Sequence, residues 1–155
     1  MGWFGLTGRY VHRKGEYTLL DVLEEVKRNP ELDKAGAILM FIGIVRGESL
    51  NGRRVRRLEI EAYEEGAEKV LAGIIEDLKK REGIVDVQIH HLVGEFEVGE
   101  DLVYVSVAGG HRDQVFPVLR EAVERYKKEA PFFKKEYVVD EKGGESGYWV
   151  GENPS

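Results

Sequence analysis

Two groups of residues have side chains suited to chemistry on an anion, and the first is Gly109-Gly110-His111-Arg112, directly before a predicted helix. Glycines permit a tight turn, the free N–H groups of a helix start carry a positive dipole, and Arg112 adds a forked cation, so this segment suits a phosphate. His111 can donate to the same anion or transfer protons near neutral pH. The alternative is an ordinary strand-to-helix turn with both side chains solvated.

The second group consists of Lys127, near the end of that helix, and Lys134, which follows Pro131. The proline ends the helix, so the chain bends between the two lysines. Phe132 and Phe133 can wall a pocket in which desolvation and neighbouring cations lower the pKa of a lysine, making it a base or a nucleophile. The alternative is that lysines in a last helical turn only complement the helix dipole.

Several other chemistries are excluded by residue types. The chain has no cysteine, which rules out cysteine nucleophiles, thiolate metal sites and a persulfide on this chain, so sulfur for any sulfur chemistry must come from elsewhere. There is no P-loop or Gly-rich dinucleotide motif. His90 and His91 could suggest a metal site, but adjacent strand residues face opposite sides, so the imidazoles should not converge. We therefore expect neither a metal nor a cofactor.

Positive charge is concentrated in two segments of an acidic chain. Residues 46–57 carry +4 and residues 125–136 carry +3, which leaves −13 for the rest of a chain whose total is −6. This distribution argues against general nucleic-acid or membrane binding and favours a localised anion site. The arginines within residues 53–57 fit a solvated loop and strand edge equally well. No membrane span or signal peptide is visible, so we expect a cytoplasmic protein.

Hydrophobic periodicity predicts a single α+β domain over residues 1–155, with residues 1–15 as an N-terminal appendage. Helices are expected over residues 18–28, 67–78 and 113–128. Strands are expected over residues 37–45, 58–62, 85–89, 102–108, 132–139 and 148–150, with a turn over residues 94–100. Residues 37–45 are nearly all apolar, which favours a strand buried on both faces. The sheet should be antiparallel or mixed and packed by helices.

From about residue 18 to residue 152 the chain resembles the large subunit of molybdopterin synthase, the MoaE family. The resemblance rests on motifs in a fixed order: Gly36-Ala37, Phe41-Ile42-Gly43, Val45-Arg46, residues 58–63, His91, Gly94-Glu95, Gly99-Glu100, His111-Arg112 and residues 130–136. It implies a MoaE-like α/β hammerhead fold. It also implies a homodimer within a heterotetramer, in which each large subunit binds a small ubiquitin-like, MoaD-like sulfur carrier.

The implied reaction moves sulfur from the thiocarboxylated Gly-Gly tail of the carrier to cyclic pyranopterin monophosphate and forms the dithiolene of molybdopterin. The resemblance implies these substrate-binding residues: Ile44, Val45, Arg46, His111, Arg112, Lys127, Lys134, Lys135 and Glu136. Lys127 and Lys134 match the catalytic lysines. We expect a buried Lys127 to accept protons or attack, and Lys134 to stabilise negative charge. This requires the cations to converge into one cleft.

A non-catalytic anion-binding or RNA-binding α+β module is the alternative function. It would use the same basic segments together with exposed aromatic side chains such as Tyr63, Phe132 and Trp149. The strongly acidic remainder of the chain disfavours RNA binding. A salt-dependent RNA titration separates the two hypotheses, since a synthase should bind a Gly-Gly-tailed protein and not RNA.

Overall fold

The computed structural model describes residues 8–150. The helices are α1 (Leu19–Lys27), α2 (Glu64–Lys79) and α3 (Arg112–Glu129). The strands are β1 (Val11–Arg13), β2 (Ala37–Ile44), β3 (Val55–Ala62), β4 (Ile84–Glu97), β5 (Asp101–Gly109), β6 (Phe132–Val139) and β7 (Glu145–Trp149), and a 3-10 turn, Leu32–Lys34, precedes β2. The predicted α+β class is confirmed, and each predicted helix and strand is present.

One sheet runs through the described residues in the order β2-β5-β4-β3-β6-β7, and every pair along this path is antiparallel. Strand β4 holds the sheet together because its first part pairs with β5 and its last part, Gly94–Glu97, pairs with β3. Strand β1 lies parallel to β4 through His91–Val93. The sheet is therefore mixed.

Two expectations about the strands were wrong. The turn expected over residues 94–100 is shorter, because β4 continues to Glu97 and only residues 98–100 form the turn. Gly94 makes this possible with a φ of 132°, which bends the strand without ending it. The apolar β2 is not buried on both faces, because its Ile42 and Ile44 are 38% and 55% exposed. It also lies at the edge of the sheet.

Helices cover both faces of β4. One face of β4, which α2 and α3 cover, carries the side chains of Val87, Ile89 and His91. His90 lies on the opposite face, toward α1 and its Glu25. Thr18 precedes helix α1, and its hydroxyl caps the helix in a reciprocal pair with Asp21. The apolar stripes of the helices close one hydrophobic core on this sheet.

A buried polar cluster attaches β1 and α1 to β4. His12 Nε2 lies 2.9 Å from His90 Nδ1, and the Tyr17 ring stacks on both imidazoles with centroid distances of 4.0 and 4.4 Å. His90 Nε2 lies 2.8 Å from Gln88 Oε1, and the Tyr17 phenol donates to Glu25. Within residues 1–15, expected as an appendage, β1 is thus part of the packed structure. Residues 1–7 of that segment lie outside the described residues.

No helix within residues 8–150 combines the length and the apolar character needed to cross a lipid bilayer.

The buried histidines predict a loss of stability in mild acid. Burial lowers the pKa of His12 to about 4 and those of His90 and His91 to about 3, from 6.5. As the pH falls below about 6.5, the unfolded chain takes up protons that the folded chain does not, so the free energy of unfolding decreases until about pH 3 to 4. Urea unfolding between about pH 7.5 and pH 4.5 measures this decrease.

Replacing one of these imidazoles tests whether the buried histidines cause the loss of stability in mild acid. His90→Gln should flatten the dependence of unfolding free energy on pH, because one buried imidazole is gone. His111→Gln is the matched control, since His111 is exposed, and it should keep the wild-type slope. Equal slopes in all three proteins would contradict this assignment.

Candidate active site

Lys127 and Lys134 lie on either side of a sharp reversal of the chain. Helix α3 ends just before Ala130, whose ψ of 136° is extended, and Pro131 cannot continue a helix. The Pro131 carbonyl accepts a hydrogen bond of 3.2 Å from the N–H of Tyr63, which attaches the reversal to the start of α2. Strand β6 then returns beside β3, so the last turn of α3 and the start of β6 lie at the same end of the sheet.

Lys134 lies on the side of β6 that faces the core. It pairs with Ile60 of β3, which is 2% exposed, and residues directly opposite in a sheet share a face. Burial lowers the pKa of Lys134, and the charge of Lys127 lowers it further, whereas Glu136 acts in the opposite direction. Within residues 8–150, no carboxylate oxygen lies within 4.0 Å of the Lys134 ammonium.

The structure does not bury Lys127, contrary to expectation. Lys127, expected to be the buried base, is exposed on the last turn of α3. Lys134 is half-buried, because it follows the reversal and points toward the core side of β6. The lysine in the drier environment is therefore Lys134.

Aromatic rings line the core beside Lys134. The Phe132 ring stacks on His91 with centroids 3.9 Å apart, and Tyr126 meets His91 edge-on at 5.7 Å. His91 Nδ1 lies 2.9 Å from the Leu92 carbonyl oxygen, which assigns the proton of the neutral imidazole to Nδ1. The pKa of His91 is lowered mainly by burial and also by the charge of Lys134. The buried His91 imidazole is thus close enough to Lys134 to feel its charge.

Lys135 and Glu136 were both expected to bind the substrate, but they lie on opposite faces of β6. Glu136 shares the Lys134 face and accepts a hydrogen bond from the phenol of Tyr148. Lys135 lies on the other face, where its ammonium is 5.3 Å from the Tyr137 ring centroid and 5.6 Å from that of Trp149. Side chains of adjacent strand residues cannot line one side of a strand.

Arg46 lies at the same end of the sheet as the two lysines. Ile44, the last residue of β2, pairs with Asp101 at the start of β5. The next residue, Val45, is buried and exchanges backbone hydrogen bonds with the β4–β5 turn, to Glu100 O at 3.0 Å and from the N–H of Gly99 at 2.9 Å. Arg46 follows and is exposed.

His111 and Arg112 lie at the opposite end of the sheet, so the expected single cleft is not present within one chain. Strand β5 runs away from Asp101 to Gly109, and α3 begins there with His111 as its exposed N-cap. From Arg112 to Lys127 the helix rises about 22 Å at 1.5 Å per residue. His111 and Arg112 therefore form one group of cations, at the opposite end of α3 from a second group, Lys127 and Lys134.

The adjacent histidines do face opposite sides of β4, as expected. His90 contacts Tyr17 and His12 on one side, and His91 contacts Phe132 and Tyr126 on the other. Across residues 8–150, no three His, Cys, Asp or Glu side chains are arranged to hold a metal ion.

The sequence interpretation missed two residues beside Lys134. In the sequence, His91 was considered only as a metal ligand and as part of the family resemblance. In the structure its buried imidazole packs against Phe132. Tyr148 was assigned only to a strand. The available signal was the alternation of side chains between the two faces of β6 and β7, since the register of their hairpin pairs Tyr148 with Glu136.

A surface depression on α1 is lined by apolar and charged side chains: Leu20, Leu23, Glu24, Lys27 and Arg28. It contains none of the predicted site residues. The candidate site is therefore defined by its charged side chains and not by this depression.

The chain is similar to known proteins in both sequence and structure. A profile of the MoaE protein family matches residues 11–129, more than half of the chain. The probable molybdopterin synthase of Haloferax volcanii is 40% identical over 86% of this chain and 49% of its own length. The molybdopterin synthase catalytic subunit of Thermoplasma volcanium is 36% identical over 80% of this chain and 87% of its own length. The chain thus spans about half of the first relative and most of the second.

A solved structure shows the same fold. The crystal structure of molybdopterin synthase from Staphylococcus aureus aligns with a TM-score of 0.76 and 28% identity, over 92% of this chain and 96% of the aligned chain. The match in coordinates therefore extends past the family profile, which stops at residue 129 before β6.

The burial of Lys134 predicts a specific cost in stability. The unfolded chain keeps the lysine proton up to its ordinary pKa of 10.5, above the lowered pKa of the folded chain. The cost is therefore full below the folded pKa and disappears as the pH rises toward 10.5. Lys134→Met, which keeps the stem, should raise the free energy of unfolding by about 0.5 to 2 kcal/mol at neutral pH, and by less near pH 10.

Urea unfolding at both pH values checks this, with Lys128→Met as the matched control because Lys128 is an exposed lysine of α3. The control should stay within about 0.5 kcal/mol of wild type. Destabilisation by Lys134→Met at neutral pH would show that the ammonium has a compensating partner.

Proposed function

We propose, because this chain belongs to the MoaE protein family, that it is the catalytic subunit of a molybdopterin synthase. The observation that carries the proposal is the position of Lys127 and Lys134, which the reversal at Pro131 holds near each other at one end of the sheet. Such a group of cations suits a phosphorylated substrate.

The proposed reaction transfers sulfur to cyclic pyranopterin monophosphate and forms the dithiolene of molybdopterin. Because the chain contains no cysteine, the sulfur must be carried in by another molecule. The proposed donor is the thiocarboxylated C-terminal glycine of a small ubiquitin-like carrier protein. The relatives' name, catalytic subunit, supports an assembly with at least one further subunit.

The two lysines have different proposed tasks because their environments differ. Lys134 is half-buried and its pKa is lowered, so its neutral amine can accept a proton as sulfur adds to the substrate. Lys127 is exposed beside it, where a charged ammonium can hold the substrate and stabilise developing negative charge. This exchanges the tasks expected from sequence alone.

We further propose that a complete site needs two copies of the chain. His111 and Arg112 are about 22 Å from Lys127 along α3, too far for one small pterin to contact both groups of one chain. In a two-fold symmetric dimer, the start of α3 in one copy can meet the end of α3 in the other. The exposed Ile42 and Ile44 on the edge strand β2 supply apolar surface for such an interface.

Lys127→Ala should abolish product formation while the fold and carrier binding remain. Loss of an aligned charged group in the site lowers turnover by about 100-fold or more. Dithiolene formation from the pterin and a thiocarboxylated carrier measures this, with circular dichroism and carrier co-purification as checks. Lys128→Ala, the exposed neighbour on the same turn, should retain activity, and wild-type turnover in Lys127→Ala would remove this lysine from the mechanism.

Heterodimers of two inactive variants should regain activity if the site is shared between copies. Arg112→Ala should weaken substrate binding and Lys127→Ala should abolish turnover, so both homodimers are inactive at low substrate. A heterodimer purified through two different tags contains one site with both wild-type residues, which predicts about half of wild-type activity. No recovery would show that both residues act within one chain.

A further inference from the structure

The carboxylate of Glu136 is held away from the lysine that it could neutralise. Glu136 and Lys134 are two residues apart on the same face of β6, about 7 Å between Cα atoms. Flexible side chains at this spacing can form an ion pair. The Glu136 carboxylate instead accepts a hydrogen bond from the Tyr148 phenol.

Tyr148 is placed for this contact by the register of the last hairpin. Strand β7 pairs with β6 so that Tyr148 lies directly opposite Glu136. The hydrogen bond to Glu136 is the main cause that raises the pKa of the phenol. Ser49 and Arg53 in the loop after β2 also lie near the phenol, and both favour its ionised form. The phenol thus connects β7, β6 and this loop.

We propose that Tyr148 is a positioning residue for Lys134. The hydroxyl of Tyr148 restrains the Glu136 carboxylate and so prevents an ion pair between Glu136 and Lys134. The lysine then keeps a desolvated ammonium with no carboxylate partner within residues 8–150. Such an ammonium loses its proton more readily than a paired one.

The charged and titratable groups around Lys134 come from every neighbouring element. Lys127 lies on α3, His91 on β4, Glu136 on β6 and Tyr148 on β7, and the facing residue of β3 is the apolar Ile60. Burial and Lys127 disfavour the ammonium, and Glu136 favours it. The position of this carboxylate therefore controls how easily Lys134 gives up its proton.

Tyr148→Phe tests the proposal directly on the whole chain. Without the hydroxyl, Glu136 can turn to Lys134 and stabilise its ammonium. Competitive acetylation with acetic anhydride, followed by peptide mass spectrometry, measures the fraction of neutral amine at Lys134. We expect the acetylation rate of Lys134 near pH 8 to fall about tenfold.

Tyr137→Phe is the matched control, because its phenol donates to Glu59 at 3.0 Å on the opposite face of the sheet. It removes one tyrosine–glutamate hydrogen bond and should leave the acetylation rate of Lys134 unchanged. An unchanged rate in Tyr148→Phe, or an equal fall in both variants, would overturn the proposal.

Variants of Glu136 keep the test decisive if Tyr148→Phe also disturbs β7. Glu136→Gln alone should leave Lys134 acetylation at or above the wild-type rate, because the carboxylate is gone. Adding Glu136→Gln to Tyr148→Phe should restore the rate, since the effect of Tyr148 requires that carboxylate. A double variant as slow as Tyr148→Phe would refute the mechanism.

The activity measurement rests on the proposed function and is read separately. In the synthase assay, Tyr148→Phe should move the acidic limb of the kcat profile to higher pH with KM for the pterin unchanged, whereas Tyr137→Phe should follow wild type. A wild-type protein without synthase activity would refute the proposed function, while the acetylation rates would still test the restraint on Glu136.

Discussion

The burial of one ammonium group, that of Lys134, is the constraint on which the candidate site depends. Removing a cation from water is costly unless it is paired, and the common response is a lowered pKa. Phe132, on the same face of β6 as the lysine, stacks on the buried His91, and burial is the main cause of the lowered pKa of Lys134. The rest of the domain, with its continuous core across β3, β4 and β5, makes this local cost tolerable.

The order of helices and strands was readable from the sequence because each long element has an apolar face of regular period. Strand β1 was not readable, because three residues are too few to show a hydrophobic period. This strand is stabilised by pairing with β4 and by the contact between His12 and His90. The edge position of β2 was also hidden. An apolar run reports how hydrophobic a strand is and not whether a neighbour lies on each side.

The site was partly predictable. Pro131 required a chain reversal, which correctly brought Lys127 and Lys134 to one end of the fold. Two errors were avoidable from the sequence itself: placing Lys134 and Lys135 in one site, and expecting one cleft for all the cations. Adjacent residues of a strand point to opposite faces, which separates Lys134 from Lys135, and the length of α3 separates Arg112 from Lys127. The burial of Lys134 instead of Lys127 was not predictable, since it depends on which face of β6 is turned toward the core.

The separation of the cations along α3 has an electrostatic consequence. At about 22 Å the two groups are more than two screening lengths apart at physiological salt, so in one chain they hardly repel each other. A dimer that joins them, as proposed, brings like charges together and opposes its own association. An anionic substrate between the groups would reverse the sign of that contribution. Substrate binding and association of the two copies would then favour each other, because a ligand that binds only the dimer stabilises it by mass action.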